Sequence, residues 1–296
     1  MRALVTGSSG FVGSRFVKYL QEANYEVTKV DVRDGIDCRD FFKYSDETFD
    51  LVVHLAAIVG GRATIEGEPL SVATDLSIDA EMFNWAIKTK PKKIIYYSSS
   101  AAYPTQLQAR GMDTKLSEEM INLDEVRNPD ESYGWAKLTG ELLARYARDA
   151  GIRVYVFRPF SGYGPDQDLT YPFPSFVKRV IDQVDQFEIW GDGTQVRDFI
   201  HIDDVVRGTM VCVNLDVQEP LNLGWGRPTS FNDLAELFFA ESGWRPTGGI
   251  IHLLDKPKGV LYRCANNSRM LKYFKPQITL EMGIKESLDE FGKYVR

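Results

Sequence analysis

Tyr133 and Lys137 are the residues of this chain whose types and spacing best suit proton transfer. They stand four positions apart in a segment, residues 131–150, whose pattern predicts a helix, so both side chains fall on one helix face. A free tyrosine loses its proton near pH ~10. A fixed ammonium beside it favours the phenolate, and we therefore expect Lys137 to lower the pKa of Tyr133. Because such pairs also arise by chance, the catalytic interpretation depends on the elements around them.

The composition is that of an ordinary globular protein, and it limits the partners. The chain has 296 residues, 44% of them apolar, and a net charge of -7, so it has no general electrostatic attraction to nucleic acid or to an anionic membrane. Cys38, Cys212 and Cys264 lack metal-ligand spacing, and the first strand follows no secretory segment. The most apolar run, residues 51–61, is too short to span a bilayer. We expect a reduced, cytoplasmic protein with no metal, nucleic-acid or membrane partner.

A glycine-rich turn near the N-terminus predicts a phosphate site. A short apolar strand, residues 2–6, leads into the turn, and an amphipathic segment, residues 14–23, follows it. Backbone N–H groups at the start of a helix face an anion. The first glycine permits the tight turn, the second lets a diphosphate approach, and the third lets helix and strand pack closely. The cofactor contacts predicted here are Gly7, Gly10, Phe11, Val12 and Gly13.

Asp31 ends the second predicted strand, residues 25–30, and suits the ribose of a dinucleotide. A carboxylate about 20 residues after the glycine turn hydrogen-bonds the adenosine ribose in such sites. The same charge repels a 2'-phosphate, so NAD is favoured over NADP, and Arg33 nearby keeps the preference moderate. Turn, strand and carboxylate together predict a dinucleotide site rather than a merely structural turn.

Strands and helices then alternate along the chain, which predicts a doubly wound parallel sheet of the Rossmann type. We expect strands at 50–55, 92–98 and 152–158 and helices at 75–88 and 131–150. Ligands lie at the carboxyl ends of such strands, and Leu55, Ala56 and Ala57 are expected to line the cofactor cleft there. We divide the chain into an NAD-binding domain, residues 1–160, and a smaller C-terminal α/β substrate lobe, residues 161–296, with residues 197–220 returning to the first domain.

The order of these motifs resembles the extended short-chain dehydrogenase/reductases that act as NAD-dependent nucleotide-sugar epimerases and dehydratases. The resemblance covers essentially the whole chain. The matching pieces are Thr6 to Gly13, His54 to Ala57, the serines before Tyr103, Tyr133 with Lys137, Arg158 to Phe160 with Tyr163 to Pro165, and Gly191 to Gly193 with Arg197 to Asp204.

The resemblance implies roles for individual residues. Ser99, four residues before Tyr103, would share the substrate hydroxyl with Tyr133, while Lys137 would also hold the nicotinamide ribose. In the same way Asp37 and Cys38 would contact the adenine ring, and Arg197 and Arg263 would grip the diphosphate of a nucleotide-diphosphate sugar. Ser100 and Ser161 complete the implied substrate contacts, although Ser161 stands where the family usually has asparagine. The family also implies a homodimer built on the helices at 75–88 and 131–150. The competing interpretation is that the apolar residues of these helices belong to the internal core.

The reaction implied is oxidation at C4 of the sugar, and Ser100 and Ala101 bear on its outcome. Dehydratases of the family carry an Asp-Glu pair at these positions, decarboxylases a glutamate at the place of Ala101, and 3,5-epimerases of the GDP-mannose type a cysteine. Serine and alanine supply neither acid nor base. A 4-epimerase needs none, because the ketone only rotates and takes the hydride back on its other face, so C4 epimerisation is favoured.

Alternatives of two classes stay open. Several stretches, Val59-Gly60-Gly61, Tyr103-Pro104, residues 187–191 and residues 258–260, look more like the GDP-mannose 3,5-epimerase and GDP-fucose synthase branch. These stretches favour a substrate from that branch and leave the favoured chemistry unchanged. Dehydratase, 3,5-epimerase and decarboxylase activities of the same family remain alternatives. A non-catalytic dinucleotide-binding sensor or scaffold is the alternative from another class, and the presence of Ser99, Tyr133 and Lys137 together argues against it.

Overall fold

Six parallel strands form the sheet that carries the glycine turn. The computed structural model describes residues 1–60, 66–67, 70–109 and 111–294, so Gly61 lies outside the described residues. Both predicted features, parallel pairing and alternation with helices, are confirmed. From one edge to the other the strands are β2 (Glu26–Val30), β1 (Arg2–Thr6), β3 (Leu51–His54), β4 (Lys93–Tyr97), β5 (Arg153–Pro159) and β9 (Leu221–Leu223).

Helices cover both faces of this sheet. Along β1, Ala3 and Val5 point into one apolar cluster, while Leu4 points into the other. This follows from the alternation of side chains along a strand, and it explains why the strands are apolar on both faces. The first cluster includes helices α1 (Phe11–Glu22) and α6 (Ile202–Asn214), and the second includes α2 (Cys38–Tyr44), α3 (Ser71–Thr89) and α4 (Glu131–Asp149).

The strand order places a ligand-binding edge beside the glycine turn. β1 lies between β2 and β3, so the connections leaving the carboxyl ends of β1 and β3 run to opposite sides of the sheet. Such a switch point opens a crevice for a ligand. Gly7, Leu55 and Ser98 follow β1, β3 and β4 directly at this edge.

The remaining strands and helices pack around a separate core that is rich in aromatic residues. Its apolar cluster includes Phe173, Phe176, Phe187 and Phe238. The strands are β6 (Ser161–Tyr163), β8 (Val196–His201), β10 (Pro228–Ser230) and β12 (Tyr262–Arg263) in one sheet and β7 (Phe187–Trp190) with β11 (Ile250–Leu253) in another, and the helices are α5 (Pro172–Ile181), α7 (Phe231–Ser242) and α8 (Leu280–Tyr294). Helix α6 and strand β9 instead pack with the first sheet. The division at residue 160 stays a prediction.

Candidate active site

The turn after β4 directs one serine of three toward Tyr133. Ser98 is buried and donates its hydroxyl to the carboxylate of Glu141. Ser99 accepts a hydrogen bond from the Ala101 N–H at 3.1 Å and makes a second one to the side chain of Tyr133. Ser100 begins a short 3-10 helix and is buried. The structure thus brings Ser99 to Tyr133, as the resemblance implied, and gives Ser98 a different partner.

Helix α4 approaches this turn unusually closely. The Asp130 N–H donates to the carbonyl of Ala101 at 2.8 Å. A Cβ on Gly134 would lie 2.4 Å from the same carbonyl oxygen, a distance that no other residue type could accept. The glycine beside Tyr133 is therefore what lets the first turn of α4 reach the serine segment.

Lys137 lies beside Tyr133 and is almost completely buried. Its Nζ is 5.7 Å from the centroid of the Tyr133 ring and 5.5 Å from that of Tyr96, and the residue is 6% exposed. A desolvated ammonium has strong electrostatic effects on its neighbours. Ser99, Tyr133 and Lys137, which come from two separate elements, are therefore assembled in one place.

The pKa of Tyr133 differs from our expectation. Burial raises the pKa of this phenol, the nearby carboxylates of Asp75 and Asp79 raise it further, and only the Ser99 hydrogen bond opposes them. The expectation of a lowered pKa is wrong for the chain by itself, because burial is the largest effect on this phenol. In the chain without a cofactor, burial and these two carboxylates therefore favour the neutral phenol.

The glycine turn fits a diphosphate. Gly7 has a φ of +67°, and a Cβ on Gly13 would lie 2.0 Å from the Gly7 carbonyl oxygen. The turn ends at Gly10, the residue before α1, and the N–H groups of a first helical turn have no partner within the helix. The Ser8 hydroxyl is buried and has no hydrogen-bond partner among the described residues. Backbone and hydroxyl donors are therefore available for phosphate oxygens, with Phe11 and Val12 packed against the core beneath them.

Asp31 lies at the edge of this turn, as predicted for a ribose contact. Its two carboxylate oxygens accept the N–H groups of Ser9 at 2.9 Å and Arg33 at 2.8 Å. Each oxygen keeps a lone pair, so the carboxylate is oriented and still able to accept from a ribose hydroxyl. The Arg33 guanidinium donates to the Ser9 carbonyl at 3.0 Å, which holds a cation on the same side.

We expect Asp31→Asn to reduce the preference for NAD over NADP by about 10-fold or more, since a charged hydrogen bond contributes ~1.5–3 kcal/mol. NAD affinity falls because the amide is a weaker acceptor, and repulsion of the 2'-phosphate is removed. The measurement is calorimetric titration of both cofactors. Asp34→Asn is the matched control, because Asp34 carries the same charge nearby but is exposed and accepts the Ser9 hydroxyl. An unchanged ratio in Asp31→Asn would contradict the ribose role.

The other predicted cofactor residues lie along the same sheet edge. Leu55 and Ala56 donate their N–H groups to the Thr6 hydroxyl, each at 3.2 Å, so they and Ala57 follow the end of β3 closely beside β1. Asp37 caps α2 and is paired with Arg39 at 2.6 Å, whose hydrogen bonds hold the pKa of that carboxyl below its usual range. Cys38 is buried in the core behind it. The adenine contact of Asp37 and Cys38 stays a prediction.

The two arginines predicted to grip a diphosphate make contacts within the chain. Arg197 donates to the carbonyls of Val196 and Val260, both at 2.8 Å. Arg263 is paired with Asp130 at 2.7 Å and donates to Gln108 at 2.6 Å. The Arg263–Asp130 pair links strand β12 to the residue that precedes α4. Diphosphate binding by Arg197 and Arg263, like the substrate contacts of Ser100 and Ser161, stays a prediction.

A buried polar network beneath Lys137 escaped the sequence analysis. His54 connects the Thr6 hydroxyl, at 2.9 Å, to the Asp79 carboxylate, at 3.1 Å, and the Tyr96 hydroxyl donates to the same carboxylate at 2.6 Å. Burial tends to raise the pKa of Asp79, but hydrogen bonds from His54 and Tyr96 and the charge of Lys137 lower it overall. The signal in the sequence is Asp75 and Asp79, two carboxylates four residues apart in an otherwise apolar helix pattern.

Neither a metal centre nor a membrane span is seen in the part of the chain that the structure describes. No group of three or more His, Cys, Asp or Glu side chains there could hold a metal ion. No helix within that part has the length and apolar character required to cross a membrane. The three cysteines are buried and unpaired by disulfides.

The chain matches one family model and is similar to several known proteins. Residues 3–224 match the model of the NAD dependent epimerase/dehydratase family. A dTDP-4-dehydro-6-deoxy-D-allose reductase of Streptomyces bikiniensis is 29% identical, over 99% of this chain and 97% of that protein. GDP-mannose 3,5-epimerase 1 of Oryza sativa subsp. indica is 27% identical, over 96% of this chain and 80% of that protein. The crystal structure of a UDP-glucose 4-epimerase from Thermus thermophilus with NAD has a TM-score of 0.84 at 20% identity, covers 100% of both chains, and shares the fold.

Proposed function

Since the chain belongs to the NAD dependent epimerase/dehydratase family, we propose that it is a nucleotide-sugar epimerase that inverts C4 through a transient 4-keto sugar. The observation that carries the proposal is the hydrogen bond between Ser99 and Tyr133 with Lys137 alongside. These groups suit removal and return of one hydroxyl proton. The glycine turn and Asp31 supply matching donors and acceptors for the cofactor.

In this mechanism the residues of the chain bind and orient the substrate and transfer one proton. NAD, held by the glycine turn and Asp31, would supply a reversible hydride acceptor for C4. Tyr133, acting as phenolate, takes the proton of the 4-hydroxyl and gives it back in the second half of the reaction. The Ser99 hydroxyl holds the substrate oxygen beside the phenol, and Lys137 offsets the charge that develops on the phenolate. The low exposure of Lys137 keeps this charge effect strong.

The serine segment favours return of the hydride over further chemistry. Ser100, Ala101 and Ala102, which follow Ser99, carry no carboxylate or thiol and are buried. Thiols elsewhere in the chain stay protonated near neutral pH, because burial raises the pKa of Cys212 to about 11 and those of Cys38 and Cys264 to about 12. Exchange at C3 or C5 and loss of water both need an acid and base near those carbons. C4 epimerisation needs only the groups already described.

The direct test is incubation of the protein with UDP-, GDP-, dTDP- and CDP-hexoses in deuterium oxide, followed by NMR of the products. Inversion at C4 without solvent deuterium is expected. Deuterium at C3 or C5 would instead indicate 3,5-epimerisation, and loss of water or carbon dioxide a dehydratase or decarboxylase. Net consumption of NADH with a 4-keto sugar would point to a reductase, the activity named for one relative. Binding of NAD with none of these reactions would favour the sensor or scaffold.

We also propose that the protein forms a homodimer through α3 and α4. Several apolar residues of these two helices are buried within the chain: Ile78, Met82, Phe83, Trp85 and Leu138. The large apolar side chains that stay exposed on the two helices are Leu76, Ile87, Trp135 and Tyr146. A patch of large apolar side chains on two adjacent helices is typical of a surface covered by a second copy.

The dimer proposal predicts that Trp135→Glu shifts the protein toward the monomer in light scattering, because a charge would be buried in the interface. Trp135 is 44% exposed in the single chain, so the monomer should keep its stability. Lys18→Glu on α1 is a control on another surface, since Lys18 is an exposed residue of that helix. A monomeric wild-type protein at micromolar concentration would refute the proposal.

A further inference from the structure

Asp130, the residue before α4, uses its carboxylate on a distant part of the chain. An aspartate in this position usually caps the first turn of its own helix. The Asp130 side chain makes no such cap to that turn, all of which the structure describes. It pairs instead with Arg263 of β12 at 2.7 Å, and the two side chains are only 8% and 11% exposed. The carboxylate therefore serves a contact between distant segments rather than the helix that it precedes.

The Asp130–Arg263 pair belongs to a chain of hydrogen bonds that begins and ends on the turn after β4. At one end, the Asp130 N–H donates to the Ala101 carbonyl at 2.8 Å. At the other end, Arg263 Nε donates to the Gln108 side chain at 2.6 Å, and the amide of this buried glutamine donates to the Tyr103 carbonyl at 3.1 Å. The pair thus ties the start of α4 and the turn that carries the serines to the same strand.

The backbone between Asp130 and Tyr133 is strained. Glu131 has a φ of +53°, in the left-handed region that residues other than glycine rarely adopt. Such a conformation is costly and persists only where the surrounding contacts impose it. On one side of Glu131 is the Asp130 pair, and on the other is Gly134, packed closely on the Ala101 carbonyl. Contacts from outside the helix therefore fix the way in which α4 begins.

We propose that Asp130 is a positioning residue for Tyr133: paired with Arg263, it fixes the first turn of α4 on the turn after β4 and so sets the contact of Tyr133 with Ser99. The proposal rests on the proposed function and deepens it, because it concerns the same tyrosine and serine. Tyr133 lies three residues after Asp130, less than one helical turn, so a shift of Asp130 also moves the phenol. A misplacement of about 1 Å between reacting groups lowers a rate by about 10²-fold.

Arg263 also has the predicted role of a contact to the substrate diphosphate, and the two roles differ in their kinetics. A residue that binds the diphosphate equally in ground state and transition state changes KM. A residue that positions Tyr133 changes kcat at saturating substrate. Variants of Asp130 separate the two roles, because a carboxylate repels a diphosphate and has no part in binding it.

The first test needs neither cofactor nor sugar. Hydrogen exchange of the free protein, followed by mass spectrometry, compares peptides that span residues 99–104 and 130–137. We expect Asp130→Ala to speed exchange in both segments by about 10-fold or more, because the contact that joins them is lost. Unchanged exchange in folded Asp130→Ala would overturn the proposal. Since no sugar is present, this failure is distinguishable from failure of the proposed epimerisation.

Asp124→Ala is the matched control for the exchange measurement. Asp124 also pairs with an arginine, Arg145 of α4, at 2.9 Å, but this aspartate is exposed. Loss of an exposed pair has little effect on stability. Exchange of both segments in Asp124→Ala should therefore equal that of the wild type.

The second test is the division of the effect between kcat and KM. In NAD-loaded Asp130→Ala we expect kcat for the hexose to fall by about 10–100-fold, with KM and NAD affinity close to the wild-type values. A purely structural role would lower the amount of folded protein and leave kcat per folded site unchanged. Unchanged kcat, with or without a raised KM, would refute the positioning role.

Variants of Arg263 show whether the arginine acts through Asp130. The double variant Asp130→Ala with Arg263→Met buries neither charge, so it should fold even where a single variant does not. Its two segments should also exchange faster than in the wild type, and its kcat should fall no further than that of Asp130→Ala, because the same contact is lost. Arg263→Lys keeps the charge and should recover part of the kcat lost in Arg263→Met. Losses of kcat that multiply in the double variant would exclude the pair as their cause.

Discussion

Tyr133→Phe is expected to lower kcat by about 10²–10⁴-fold, the usual contribution of a general acid or base. The variant loses the only atom of Tyr133 that can accept the substrate proton, while the ring still packs beside Lys137. NAD binding should be retained, because the glycine turn and Asp31 belong to a different part of the sheet edge. Turnover by NMR and cofactor affinity by calorimetry are the two measurements.

Tyr146→Phe is the matched control for this variant. Tyr146 lies on the same helix but is exposed, so loss of its hydroxyl should leave kcat unchanged. Complete loss of NAD affinity in folded Tyr133→Phe would contradict the assigned role, and so would near-normal turnover. Loss of kcat with retained affinity separates proton transfer from cofactor binding.

Glu141→Leu is expected to have the largest effect on folding, a loss of about 3–5 kcal/mol in the free energy of unfolding. Glu141 and Arg158 are each 2% exposed and form a two-pronged pair, at 2.8 Å to Arg158 Nε and 2.6 Å to Nη2. Removing the carboxylate leaves a buried guanidinium whose remaining acceptors among the described residues are the Tyr103 hydroxyl and the Glu118 carbonyl. Denaturant unfolding, followed by circular dichroism, measures the loss.

The double variant Glu141→Leu with Arg158→Met should recover much of that loss, because apolar side chains of similar volume can replace a buried pair. The exposed pair of Glu236 with Arg245 is the control, and Glu236→Gln should cost less than about 1 kcal/mol. Equal losses in the single and double variants would show that burial of the unpaired arginine is not the cause. Because Ser98 donates to Glu141, the single variant should also disturb Ser99, the next residue.

Local patterns were sufficient for the fold, the family and the cofactor. The glycine turn, the carboxylate after the second strand and the alternation of strands with helices each depend on residues close in sequence. Strand boundaries agreed within about two residues, as for β3, predicted at 50–55 and observed at Leu51–His54. The spacing of Tyr133 and Lys137 placed both on one helix face for the same reason, since helix geometry alone determines it.

By itself, then, the sequence determined the sheet, the NAD-binding turn and the presence of a tyrosine and a lysine suited to proton transfer. Only the tertiary structure decided which serine contacts Tyr133. The choice depends on where β4 ends and on which side chain of α4 lies against each serine: Glu141 against Ser98 and Tyr133 against Ser99. The tertiary structure also decided the direction in which the pKa of Tyr133 moves. That direction depends on burial and on the charges of Asp75 and Asp79, which lie more than fifty residues away in the chain but within the same packed helix pair. Electrostatic effects follow distance and solvent exposure in space, and neither quantity is contained in the spacing of residues along a chain.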